Sequence, residues 1–132
     1  MRITVDTNIL IRAVVCDDTK QAAAAARLLH DAEIIAVPLP CLCEFVWVLR
    51  RVYSLGRSDI HAALQALLSA ANVAVNRPAA DAGLAMLDAG GDFADGVIAY
   101  EGRWLGGEAF FSFDKQAVEL LEKQGWPARI LV

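Results

Sequence analysis

The apolar positions of this chain form short continuous runs that alternate with longer helical repeats from the N-terminus to the C-terminus. Short, mostly apolar runs of three to five residues predict buried strands, and apolar residues three and four apart predict helices with one buried face. The predicted strands are residues 2–5, 34–37, 73–75, 109–113 and 130–132. The predicted helices are residues 9–15, 20–32, 40–53, 58–70, 78–87, 92–105 and 115–123.

Most of the predicted strands are continuously apolar instead of alternating between apolar and polar residues. This pattern is typical of parallel strands that are covered on both faces by the helices connecting them. No internal repeat, low-complexity tail or linker divides the chain. The sequence therefore predicts one α/β domain with a parallel sheet and helices on both of its faces.

The composition changes this picture only slightly. Hydrophobic residues make up 57% of the chain, above the ordinary range of about 45–50%, so a substantial core can form. No apolar run reaches the roughly 18–20 residues that span a bilayer. The N-terminus becomes acidic at Asp6, too early for a signal peptide. We therefore expect a cytoplasmic protein with no membrane partner.

The cysteine count and the charge each exclude one simple interpretation. The three cysteines are Cys16, Cys41 and Cys43, and an odd number without a secretion signal argues against a disulfide framework. We interpret Cys41 and Cys43 as small buried hydrophobic residues. The net charge of −4 excludes attraction of nucleic acid by bulk charge. A cluster of acids at one site would also produce this excess of negative charge. The arginines would then remain available for local contacts with nucleic acid.

Four carboxylates occupy positions that are unusual for a carboxylate. Asp6 and Asp114 follow predicted strands, Asp95 opens a helix after two glycines, and Glu44 lies within an apolar helix. Functional sites of parallel sheets form at the carboxyl ends of strands. In one pocket these acids would repel one another unless a cation held them together. The sequence therefore favours a divalent-metal site.

Each acid also has a structural interpretation. Asp6 and Asp114 are suitable helix caps or turn residues, although Thr7 or Asn8 can also cap the first helix. Asp92 has the features of an N-cap, with Asp95 near the third helical position. A carboxylate at Asp92 can cap and still support the site through water. The hydroxyl of Ser112 is compatible with contact to a metal-bound water or with plain strand packing.

Glu44 is the hardest of the acids to explain structurally, because its helix is apolar almost all round. Such a helix is buried on every side or forms an interface. A buried, unpaired carboxylate costs several kcal/mol or takes up a proton, whereas the nearby helix start offers roughly 0.3–1 kcal/mol. A metal ion or its bound water would compensate Glu44. The alternative is a narrow polar edge that leaves this side chain exposed.

Other enzyme classes find less support. His30 and His61 are isolated, so zinc hydrolase chemistry is unsupported. An aspartyl phosphatase requires a second aspartate two residues after Asp6, and this chain has Asn8 at that position. A receiver domain requires a phosphate-accepting aspartate after a central strand, and no aspartate follows residues 73–75. These phosphoryl-transfer domains, and a binding module without catalysis, remain the alternatives.

Four blocks of the sequence together resemble the PIN-domain nucleases, and among them most closely the VapC-like toxins of bacterial toxin–antitoxin pairs. The blocks span essentially the whole chain and occur in the order and spacing of that family. They are Val5-Asp6-Thr7-Asn8-Ile9-Leu10, Glu44 in the helix after the second strand, Asp92-Phe93-Ala94-Asp95-Gly96-Val97-Ile98-Ala99, and Ser112-Phe113-Asp114. One departure is Gly96, where related sequences more often carry Ala or a larger residue, and which we expect to loosen that helical turn.

The resemblance implies a single PIN-like domain over residues 1–132, folded as a three-layer α/β/α sandwich around a short, mostly parallel sheet. It implies cleavage of single-stranded RNA with Mg²⁺ or Mn²⁺, an antitoxin partner and a homodimer. It assigns the catalytic acids as Asp6, Glu44, Asp95 and Asp114, of which Asp6, Asp95 and Asp114 bind the metal. The accessory residues that it implies are Asp92, Thr7, Asn8 and Ser112.

Overall fold

The computed structural model describes residues 1–132 and contains five strands and seven helices in the predicted order. The strands are β1 (Arg2–Thr4), β2 (Ile34–Ala36), β3 (Val73–Ala74), β4 (Phe110–Ser112) and β5 (Ala128–Ile130). The helices are α1 (Thr7–Val14), α2 (Thr19–Asp31), α3 (Leu39–Arg51), α4 (Arg57–Ser69), α5 (Arg77–Asp88), α6 (Phe93–Trp104) and α7 (Lys115–Lys123). None of these helices combines the length and the hydropathy that a bilayer-spanning segment needs.

The chain forms two compact units, Met1–Asn76 and Arg77–Val132. The first unit contains a three-stranded parallel sheet in the order β1-β2-β3, in which Ile35 pairs with Ile3 on one side and Val73 on the other. Its helices α1 to α4 each bury an apolar face. Phe45 of α3 is among the largest fully buried side chains.

The helix α3 is not buried on every side. It buries Leu42, Phe45, Val46 and Leu49, whereas Trp47 is 56% exposed. An apolar helix was expected either to be buried on every side or to form an interface, and burial on every side is therefore wrong for α3. Its outward face carries an aromatic side chain.

The second unit contains a two-stranded parallel sheet, β4-β5, together with α5, α6 and α7. Its core brings together residues of all three helices and β5, and Phe110, Leu120 and Trp126 pack against it. The core residues are Met86, Ala99, Val118, Leu121 and Ala128. All strand pairings in both units are parallel, as predicted.

Only α7 has its predicted bounds, and the other elements begin or end one or two residues away from the predicted positions. Helix α1 begins at Thr7, and its cap is Asp6, whose carboxylate accepts the first helical N–H. The capping interpretation of Asp6 is therefore confirmed, and Thr7 and Asn8 are not the caps. Strand β5 covers Ala128–Ile130 instead of residues 130–132. Its register is set by the ladder with β4, which runs from the Pro127 carbonyl to the Leu131 amide.

Helices α5 and α6 cross at two glycines. Gly83 lies under the ring of Phe93, so that a Cβ atom built on Gly83 would come within 2.6 Å of that ring. A Cβ atom on Gly96 would overlap the backbone carbonyl of Ala82. The missing side chain of Gly96 lets α6 approach the backbone of α5, which gives this residue a packing role that the sequence did not indicate.

We expect Gly96→Ala to destabilise the second unit, because the added methyl group meets backbone that cannot rotate away. Overpacking of this kind costs about 1–3 kcal/mol. Gly102→Ala is the matched control on the same helix, since a Cβ atom there has no neighbour within 4 Å. This control should match wild type or gain up to about 1 kcal/mol. Urea unfolding measures both changes, and wild-type stability of G96A would contradict the close approach.

Candidate functional site

The first unit contributes two of the predicted acids, Asp6 and Glu44. Asp6 links β1 to α1 in an extended conformation, and its Oδ1 accepts the Thr7 N–H at 2.7 Å. Both carboxylates are exposed. Exposure of Glu44 contradicts the argument from burial and selects the polar-edge alternative, because α3 turns Leu42 and Phe45 inward and leaves Glu44 outside. Glu44 is therefore accessible to solvent and to a ligand.

A thiol that the sequence had suggested to be a plain core residue lies beside these two acids. Cys41 is half-buried, and its Sγ lies 3.7 Å from the Thr7 Oγ1 and 3.6 Å from the Val5 carbonyl oxygen. Burial raises the pKa of the Cys41 thiol, and the negative charges of Asp6 and Glu44 raise it further, although the Thr7 hydrogen bond opposes them. Asp6 and Glu44 thus act on the same group.

Two of the predicted polar supports lie in this part of the chain. Thr7 is buried, with 3% of its surface exposed, whereas Asn8 is exposed. Asn8 lines a cleft of about 510 Å³ between α1 and α2 that also contains Arg12 and Gln21. Thr7 therefore has a structural role, and Asn8 is available to a ligand.

The second unit brings together Asp92, Asp95 and Asp114. Asp92 caps α6 by accepting the Ala94 N–H at 3.3 Å, as predicted. Asp114 caps α7 by accepting the Ala117 N–H at 3.1 Å. The Ser112 hydroxyl accepts the Asp114 backbone N–H at 2.9 Å, so Ser112 orients the turn that carries Asp114. Each cap uses only Oδ1, which leaves the second carboxylate oxygen for another partner.

Asp95 is the least compensated acid of this group. It lies in the first turn of α6, is half-buried, and its carboxylate makes no hydrogen bond or ion pair in the structure. Burial raises the pKa of Asp95, and the negative charges of Asp92 and Asp114 raise it further. The second unit therefore concentrates negative charge around a carboxylate that has no counter-ion of its own.

The donor set fits a hard divalent cation. The predicted ligands offer only carboxylate oxygens, which Mg²⁺ and Mn²⁺ prefer over the nitrogen and sulfur ligands of zinc. No group of three or more His, Cys, Asp or Glu side chains lies close enough to hold an ion directly. Mg²⁺ commonly keeps several waters and uses only one or two carboxylates. Within the second unit, Asp92, Asp95 and Asp114 offer the oxygen ligands that such an ion uses.

We expect the pH dependence of stability to report on Asp95. Its raised pKa means that the folded protein retains this proton at a pH where the unfolded chain has lost it. The free energy of unfolding of wild type should therefore fall relative to Asp95→Asn as the pH rises from about 4, the ordinary pKa of Asp, through the raised value.

Urea unfolding of both proteins in steps of pH, without divalent cations, measures this difference. Asp59→Asn removes an exposed carboxylate from the first turn of α4 and controls for loss of charge at a helix start. A stability difference between wild type and D95N that is the same at every pH would contradict the environment described for Asp95.

Comparison with known protein families matches residues 3–122 of the chain to the PIN domain. A search of curated proteins found no match. The family match covers both compact units and all four acidic positions. It confirms the α/β/α fold class and leaves no support for a receiver or phosphatase fold. The chain therefore belongs to the PIN-domain family, whose members are generally metal-dependent nucleases.

Proposed function

We propose that this protein is a metal-dependent endoribonuclease that hydrolyses phosphodiester bonds of single-stranded RNA and acts as the toxin of a type II toxin–antitoxin pair. The observation that carries the nuclease assignment is Asp95, a half-buried carboxylate without a partner that lies near two further aspartates. Structural caps explain Asp92 and Asp114 but not Asp95. A bound cation would supply the positive charge that Asp95 lacks.

The proposed ligands of Mg²⁺ or Mn²⁺ are Asp6, Asp95 and Asp114. A bound ion would neutralise charge on the phosphate and acidify a bound water. Glu44, whose carboxylate is exposed, would accept a hydrogen bond from a metal-bound water or would orient the attacking water. Asp92 adds negative charge beside Asp95, and Ser112 holds the backbone of Asp114. Thr7 donates the N–H that orients the Asp6 carboxylate. Asn8, the next residue, offers an exposed side chain to the substrate.

The partners of the proposed nuclease are inferred from the charge of the chain and from its resemblance to VapC-like toxins. An acidic protein with net charge −4 does not attract RNA by bulk charge, so a bound cation is what allows the acids to accept a phosphate. The resemblance to VapC-like toxins supports a cognate antitoxin, a homodimer and a cytoplasmic location. The exposed Trp47 of α3 is a suitable contact for either protein partner, because aromatic residues are enriched at interfaces.

Exchange of Asp6 or Asp114 for Asn separates catalysis from helix capping. Asn caps a helix about as well as Asp but removes the negative charge. We expect Asp6→Asn and Asp114→Asn to reduce RNA cleavage by about a hundredfold or more, since loss of even an indirect metal partner costs about 10–100-fold. Asp18→Asn is the matched control: Asp18 caps α2 through the Gln21 N–H at 3.0 Å and lies outside the proposed reaction.

These variants are assayed on single-stranded RNA with Mg²⁺ or Mn²⁺, and with EDTA in parallel. D18N should cleave like wild type, and EDTA should abolish cleavage by both. Cleavage that survives D6N, D114N and EDTA would overturn the proposed mechanism. A folded wild type that binds RNA and Mn²⁺ without cleaving would favour the non-catalytic binding module.

We also expect Mn²⁺ to stabilise the wild-type protein. A single-site ligand at one hundred times its dissociation constant adds about 2.7 kcal/mol to the free energy of unfolding. Asp95→Asn should lose most of this gain, because it removes a proposed ligand without removing a cap. Thermal unfolding with increasing Mn²⁺ measures the effect, and an equal Mn²⁺ response of wild type and D95N would exclude Asp95 as a ligand.

A further inference from the structure

We infer that Cys41 is a positioning residue for the proposed nuclease reaction, because its thiol joins the two residues that flank Asp6 to the helix that carries Glu44. Its Sγ accepts the Thr7 hydroxyl at 3.7 Å and donates to the Val5 carbonyl at 3.6 Å. This inference rests on the proposed function, since Asp6 and Glu44 are the groups that Cys41 would hold in place.

The Thr7 hydroxyl depends on this thiol. Thr7 is the one buried polar residue of the chain, and the Cys41 Sγ is the partner of its hydroxyl in the structure. A buried hydroxyl without a partner costs about 1–3 kcal/mol. Thr7 also provides the N–H that the Asp6 carboxylate accepts. The thiol therefore stabilises the residue that fixes the Asp6 side chain.

The Val5 carbonyl depends on the same thiol. Val5 is buried and lies just beyond the last paired residue of β1. Its N–H still donates to the Ala36 carbonyl, whereas its own carbonyl has passed the end of the ladder and accepts from Cys41. Buried backbone carbonyls nearly always have a partner. The thiol thus holds the backbone on the strand side of Asp6.

The position of Cys41 on α3 connects these bonds to Glu44. Residues three apart on a helix lie on the same side, one turn from each other, so Cys41 and Glu44 are neighbours along α3. Motion of the N-terminal part of α3 relative to the end of β1 would move Glu44 relative to Asp6. The two bonds of the thiol oppose that motion.

A thiol suits this position because it both donates and accepts. The raised pKa of Cys41 keeps the thiol protonated at neutral pH, so the S–H remains available to the Val5 carbonyl. Alanine would remove both bonds. Serine offers the same donor and acceptor on a shorter arm and should restore most of the contact. Cys43 is the matched control, because it is a half-buried cysteine of the same helix and residues two apart face different directions.

Steady-state cleavage of single-stranded RNA tests this role. We expect Cys41→Ala to lower kcat about tenfold, with KM within about twofold of wild type, because a displacement near the reacting groups affects the rate more than binding. Cys41→Ser should recover most of the loss, and Cys43→Ala should behave like wild type. A C41A variant with wild-type kcat, or a C41S variant as impaired as C41A, would overturn the positioning role.

Infrared spectroscopy of the S–H stretch provides a readout that does not depend on activity. The wild-type spectrum minus that of C41A isolates the Cys41 band, which should lie below the band of the exposed Cys16 thiol because a hydrogen-bonded S–H stretches at lower frequency. A Cys41 band at the frequency of an unbonded thiol would overturn the inference. An inactive but folded wild type would instead overturn the proposed function, and the two failures are therefore distinguishable.

Discussion

The starts of helices impose the main constraint on this protein, because a carboxylate there satisfies backbone N–H groups and concentrates negative charge at the same time. Asp6, Asp92 and Asp114 each cap a helix in this way. A capping carboxylate is oriented by its bond to the backbone and retains a second oxygen. The helix starts thereby orient these acids without further side-chain contacts. Oriented oxygen ligands of this kind are what the proposed metal site requires.

The orientation of Asp95 depends on a different contact, the close crossing of α5 and α6. Gly96 follows Asp95 directly and lets α6 approach the Ala82 carbonyl, while the buried Phe93 ring covers Gly83. This packing immobilises the first turn of α6. Asp95 is consequently held half-buried among other negative charges, although no protein group neutralises it. A carboxylate whose pKa is raised by burial and by neighbouring acids is typical of a functional site.

Capping and catalysis are compatible interpretations of the same residues. For Asp6 and Asp114 the cap is visible in the structure, and a capping carboxylate keeps a second oxygen for the catalytic role that we propose. Cys41 likewise has a contact beyond the packing that its sequence position indicated. A small side chain that would pass for core packing forms the contact between the Asp6 turn and the Glu44 helix.

The order and type of the elements were readable from the sequence, because apolar periodicity and helix-capping residues act over a few neighbouring positions. The same local signals identified the acids, although not their exposure or their charge environment. Tertiary structure alone decided that Glu44 is exposed, that Gly96 is required by the crossing helix, and that Cys41 bonds residues 34 and 36 positions away. Those properties depend on which distant backbone and side-chain atoms surround a residue, and a linear pattern does not encode that neighbourhood.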